Sequence, residues 1–248
     1  MAHRDEIVRY ANELLETHRW PEYGTPGLQV VGGDEVAKLT CGVSSSKELF
    51  ERSAAAGAQL VIVHHGMFWR NEPVWIDRRQ RARLETLLRA DMSLLAYHLA
   101  LDAHPEIGNN ALLARALEVE VERPFAEVGQ GGTLSERCSL DDLVGRIREV
   151  VGGREPLVFP YGPEQIRRVA ICSGAAGREL IQAAHEGYDL FLTGEAEEPS
   201  LQTARELGIH FVAAGHDATE RLGVQALAER LCDRFGLEWE FVAVENPV

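Results

Sequence analysis

Two stretches of this chain spell the same alternation of apolar runs and amphipathic segments, in the same order. VAKLTCGVSSS (36–46) is a short apolar run ending in small polar residues, and KELFERSAAAGAQ (47–59) has helical spacing. LVIVHH (60–65) reads as a buried strand, LETLLRA (84–90) as a helix, and SLLAYH (93–98) as another strand. About 130 residues later IRRVAICSGAAG, RELIQAAHEGYDLFLTGE and LQTARELGIHFVAAGH repeat the pattern in sequence. Each half then adds a helical segment, NNALLARALEV in one and TERLGVQALAERLCDRFG in the other. Strand–helix–strand alternation gives an α/β fold, a parallel or mixed sheet covered by helices. Its repetition predicts two related α/β lobes, 1–125 and 126–248, and a further helix precedes the first at Arg4 to Thr17. Residues 126–163 read as a bridge, with a glycine-rich run (GQGG), a helix over Leu140 to Val151 capped by Ser139, and a Pro/Gly loop from Phe159 to Pro163.

Composition narrows the function. The chain has 248 residues, 45% of them hydrophobic, enough for a substantial core. Its net charge of −14 argues against a broad nucleic-acid surface. Cys41, Cys138, Cys172 and Cys232 form no CxxC pair and read as reduced thiols, which suits a cytoplasmic protein. The charged stretch His3–Arg9 has no long apolar core behind it, so neither a secretory leader nor a membrane span is expected.

In open α/β sheets ligands collect beyond the carboxyl ends of strands. The metal-capable side chains gather there. His64 and His65 close LVIVHH, Asp102 and His104 follow SLLAYH, and His216 and Glu220 follow LGIHFVAAG. Together they supply imidazoles and carboxylates suited to one or two divalent cations. Adjacent histidines on a strand point to opposite faces, so sharing a site requires the chain to leave β geometry, which Gly66 permits. His216 and Glu220, four apart, share a helix face, with Gly215 turning strand into helix. Glu195, in LFLTGE, occupies the position equivalent to the histidine pair and either orients a ligand or acts as a base. His98 reads as structural, and Asn109 and Asn110 as helix caps. Ser44 to Ser46 and Ser173 follow strands without an assigned base.

GLQV (27–30), LVIVHHGMFW (60–69), LDAHPEIGNN (101–110), LTGE (192–195) and GHDATE (215–220) resemble the NIF3-like, or DUF34, family of dinuclear-metal proteins, and the resemblance spans nearly the whole chain. It implies two related α/β lobes with mixed sheets flanked by helices around a metal cleft. It assigns His64, His65, Asp102, His216 and Glu220 as ligands of two divalent metal ions per subunit, and it implies a toroidal homohexamer, a trimer of dimers. Mixed N/O ligation admits Zn, Fe, Mn, Co or Ni. The chain departs from the pattern twice: EYGTPGLQV lacks the Asp-Asn pair many relatives carry before GLQV, and Gln202 stands where many have histidine. The expected activity is hydrolysis of a nucleotide, phosphoester or cyclic amidine, with Glu195 or Glu220 as proton acceptor. The alternative is a non-catalytic protein of metal binding, delivery or regulation.

Overall fold

The computed structural model describes residues 1–248, which group into two compact units. One comprises Met1–Leu101 with Gly223–Glu245, the other Asp102–Leu222 with Asn246–Val248. The halves 1–125 and 126–248 follow the sequence repeat, whereas contacts group the chain discontinuously. The C-terminal strand Glu238–Phe241 runs parallel to Lys38–Ser44, pairing Glu238 with Lys38, and so belongs with the first unit.

The first unit is built on a five-stranded sheet. Strands Glu238–Phe241, Lys38–Ser44, Leu60–His65 and Ser93–Ala96 lie side by side and parallel, and Gly27–Val30 adds antiparallel at the edge. Leu60, Val61, Ile62 and Val63 are fully buried, as an unbroken apolar run predicts for a strand covered on both faces. Helix Lys47–Ala55 starts where Ser46 accepts from the Leu49 amide, and helix Arg78–Arg89 where Asp77 accepts from Gln80. Leu49, Phe50 and Leu87 drive these helices into a core with Val61, Val63 and Leu94.

The second unit carries a six-stranded sheet. Its centre repeats the first unit: Ile166–Cys172, Leu190–Thr193 and His210–Ala213 are parallel neighbours joined by helical crossovers. Antiparallel strands Gly129–Cys138 and Val119–Phe125 extend one side, and Leu157–Pro160 closes the other. The stretch expected to be a bridge therefore contributes two strands and a helix to this unit. GQGG lies inside the long strand Gly129–Cys138, because a Cβ on Gly131 would fall 1.9 Å from Tyr188 Oη and one on Gly132 would fall 2.1 Å from the Glu120 carbonyl. Phe159 and Pro160 are strand residues, with Phe159 stacked on Phe211 at 5.5 Å. Helix Leu140–Val150 forms as expected, Ser139 accepting from the Asp142 amide. No helix is long and apolar enough to cross a membrane.

All four cysteines are buried and free. Burial pushes the Cys41 and Cys172 thiols far above their ordinary range and Cys232 up to about 12. A thiol with that pKa is roughly one part in ten thousand thiolate at pH 8. Folded protein should react with an aromatic disulfide reagent over hours, and urea-unfolded protein should release four equivalents within minutes. Rapid labelling of the folded chain would contradict this packing.

Candidate metal centre

Each unit gathers its chemistry at the carboxyl ends of its parallel strands. In the first, strand Leu60–His65 keeps its ladder to the last residue, with His65 in register with Ser44. The break in β geometry expected before Gly66 is therefore absent, yet both rings fall in one group that could hold a metal ion. The two ring centroids lie 4.7 Å apart. Gly66 answers a different need: a Cβ there would sit 2.4 Å from the Gln29 amide and 2.7 Å from Ala96 Cβ.

His64 is fully buried, and its Nδ1 donates to the Tyr97 carbonyl at 2.9 Å. A carbonyl only accepts, so the neutral ring holds its proton on Nδ1 and its lone pair on Nε2, the tautomer that binds metal. His65 Nδ1 meets Ser44 Oγ at 3.0 Å. This contact fixes the orientation of the His65 ring.

His98 joins them. Its ring centroid lies 4.9 Å from His64 and 5.4 Å from His65, and one ligand atom from each of the three residues falls within 4.8 Å of the others. Its Nδ1 is buried with no hydrogen-bond partner, the nearest charge being Glu22 Oε2 at 3.6 Å. The structural role expected for His98 gives way to a place among metal-capable rings. Glu22, which carries no motif in the sequence, is buried and accepts from the Leu99 and Ala100 amides, so it holds the turn that carries His98. The donor type of this trio, with the burial and tautomer of His64, fits a divalent cation.

In the second unit Gly215, at φ +100°, turns strand His210–Ala213 into the short helix His216–Thr219. His216 stands between two carboxylates: Nδ1 donates to Glu195 Oε1, and Nε2 lies 3.2 Å from Glu220 Oε2. Burial works against charge on this ring, but the hydrogen bonds and charges of Glu220 and then Glu195 outweigh it and push its pKa up to about 9. Metal binding at Nε2 must displace that proton. Glu195 thus stands as a carboxylate behind the His216 ring, a contact compatible with either role the sequence left open.

Asp102 is buried, and its Oδ1 accepts from Asn109 Nδ2 at 2.8 Å and from Ser173 Oγ at 3.2 Å. Asn110 accepts from the Ser173 amide and donates to the Val128 carbonyl. Neither asparagine caps its helix. The N-cap of Asn109–Ala116 is Gly108, and both amides are fully buried around Asp102. Asn109→Ala should weaken metal binding by about 10- to 100-fold, as loss of an orienting partner does elsewhere. Metal titration by calorimetry reads this directly, and unchanged affinity would remove Asn109 from the site. His104 accepts from the Glu106 and Ile107 amides and shapes the loop after Asp102. Gln202 is exposed and accepts from Arg205.

Clustered histidines and carboxylates that can coordinate one or two divalent metals are thus present. The model of the Duf34/NIF3 (NGG1p interacting factor 3) family matches residues 2–247. A Pseudomonas aeruginosa protein named "GTP cyclohydrolase 1 type 2 homolog" is 45% identical, covering 97% of both chains, and one of the same name from Neisseria meningitidis serogroup A is 41% identical over the full length of both. Among solved structures, protein ybgI, described as of unknown function, superposes with TM-score 0.95 at 40% identity, over 99% of this chain and 100% of that one. TTHA1606 from Thermus thermophilus gives 0.91 at 34%, with the same coverage. Reduced HcgD from Methanocaldococcus jannaschii, at 22% identity and TM-score 0.85 over 98% of both chains, shares the fold.

Proposed function

Because this chain belongs to the Duf34/NIF3 family, we propose that it is a dinuclear metal hydrolase in which His64, His65, Asp102, His216 and Glu220 hold two divalent cations. The observation that supports this most is the division of ligand chemistry. The first unit offers three imidazoles and the second an imidazole flanked by carboxylates, and neutral rings alone leave the charge of two dications uncompensated. The chain passes from one unit to the other between Leu101 and Asp102 and returns between Leu222 and Gly223, in each case within two residues of a proposed carboxylate ligand.

Bound divalent cations supply Lewis acidity and a nucleophile at neutral pH. The protein's own residues do the rest. The Tyr97 carbonyl and Ser44 fix the rings of His64 and His65, and Asn109 with Ser173 fixes Asp102. Glu195 holds His216 through Nδ1, and its carboxylate is our candidate proton acceptor, while Asp102 or Glu220 would be the carboxylate shared between two bound cations. The substrate class is a nucleotide, phosphoester or cyclic amidine. The name shared by the curated relatives points the same way, and self-assembly into a homohexamer is part of the proposal.

The test is protein purified without added metal, its ions identified by anomalous scattering, then reloaded with Zn, Fe, Mn, Co or Ni and offered a nucleotide and phosphoester panel. Metal-dependent product release that is lost in Glu195→Gln, with metal content retained, supports the hydrolase. Two equivalents of metal and no turnover in any form would leave the alternative, metal binding or delivery without catalysis.

A further inference from the structure

The second unit contains a cavity of about 320 Å³ that uses no proposed metal ligand in its wall. It opens beyond the carboxyl ends of the parallel strands Leu190–Thr193 and His210–Ala213 and is bordered by Arg154, Leu157, Glu195 and Gly215, with Pro247 and Val248 across it. That volume is in the range of small-molecule sites. Glu195 is one wall, so an occupant would lie against the carboxylate that holds His216.

Arg154 is the cation of this cavity. Gly215 gives it room, since a Cβ there would meet Arg154 Nε at 2.7 Å. Its guanidinium donates to two backbone carbonyls, Asn246 O at 3.3 Å and Pro247 O. The two acids in the wall are engaged elsewhere, Glu195 with His216 and Glu155 with Arg148 at 3.3 Å. A guanidinium fork held by neutral carbonyls gains by exchanging them for an oxyanion, which it grips bidentately. The segment it holds is neither helix nor strand. Besides Arg154, the amide of Val248 donates to Asn246 Oδ1 at 3.0 Å, and the Val248 carbonyl accepts from the Asp217 amide at 3.3 Å.

We propose that this cavity recognises a small molecule through a phosphate or carboxylate gripped by Arg154, and that residues 246–248 form a strap which gives way as the ligand enters. As the substrate-recognition pocket of a hydrolase it rests on the function proposed above, but anion binding at Arg154 does not require metal.

The experiment is calorimetric titration of the full chain with inorganic phosphate and, separately, succinate, as purified and after chelation. Wild type, Arg154→Ala, Arg154→Lys and a chain lacking residues 246–248 are compared, with metal content measured for each. In chelated protein Arg154→Ala should weaken binding by about tenfold or more, Arg154→Lys should lose less, and removing the strap should tighten it several-fold. Preference between the two probes tells phosphate from carboxylate. Equal affinity of wild type and Arg154→Ala, or no binding to chelated protein even without the strap, overturns the proposal while leaving the metal centre intact. Arg154-dependent binding in a chain that takes up no metal would sink the hydrolase and keep the pocket.

Discussion

His64→Ala is expected to strip the protein of tightly held metal. The ring is fully buried, and the Tyr97 carbonyl holds Nδ1, so its lone pair on Nε2 has one orientation. Removing an orienting partner costs about 10- to 100-fold in metal affinity; removing the ligand itself should cost more, at least about 100-fold. The readout must separate lost metal from lost folding, because truncating a buried side chain destabilises on its own account. Linkage makes that separation. A metal present at about a thousand times its dissociation constant stabilises the native state by about 4 kcal/mol, and chelation removes that increment. Wild type should therefore melt several degrees lower in chelator, whereas in His64→Ala a 100-fold weaker site keeps only about 1.4 kcal/mol of that increment, so the chelator shift should shrink to about a third or less. Elemental analysis should agree, with metal per chain falling in the variant. A variant that keeps its full metal complement and its chelator-sensitive melt would exclude His64 as a ligand. His98→Ala, measured alongside, tells whether the third imidazole of that cluster shares in the coordination.

The residues that were legible in the sequence, and those that were not, differ for physical reasons. LVIVHH and LFLT were readable as strands because burial on both faces demands an unbroken apolar run. VEVERPF was not, since its middle five residues are exposed and its first closes the helical pattern NNALLARALEV. GQGG looked like a linker because glycine signals turns, yet here it signals close approach of a neighbouring strand and a tyrosine. His64, His65 and His216 announced themselves by standing at strand ends. His98 stood at one too, and the repeat aligns SLLAYH with HFVAAGH, so His98 is the counterpart of His216; its nearness to an apolar run hid that signal. Asn109, Asn110, Ser173 and Glu22 were unreadable as site residues. Their partners lie 7 to 78 positions away, and local grammar offers an asparagine before a helix no role but capping.

The second large effect belongs to the scaffold beneath those partners. Gly132→Ala should destabilise the chain by about 3 kcal/mol or more, the upper range for overpacking. The added methyl would lie 2.1 Å from the Glu120 carbonyl oxygen and 2.8 Å from its carbon, and both are backbone atoms of the adjacent strand. No rotamer change relieves that contact; the strands themselves must part. Gly132 pairs with Val121 on one side and Val169 on the other, so parting them disturbs the ladder that leads to Cys172 and, one residue on, Ser173. For a chain of this size a loss of 3 kcal/mol lowers the melting temperature by roughly 6–12 °C. Gly145→Ala is the control. Gly145 lies inside helix Leu140–Val150 with nothing within 4 Å of its would-be Cβ, so alanine there should stabilise by about 0.5–1 kcal/mol. Two identical substitutions of opposite sign, measured by thermal and urea unfolding, separate a glycine kept for close packing from one that the fold does not need. If Gly132→Ala melts with wild type, the strand Gly129–Cys138 does not pack as described, and the support it gives to Ser173 and Asp102 falls with it.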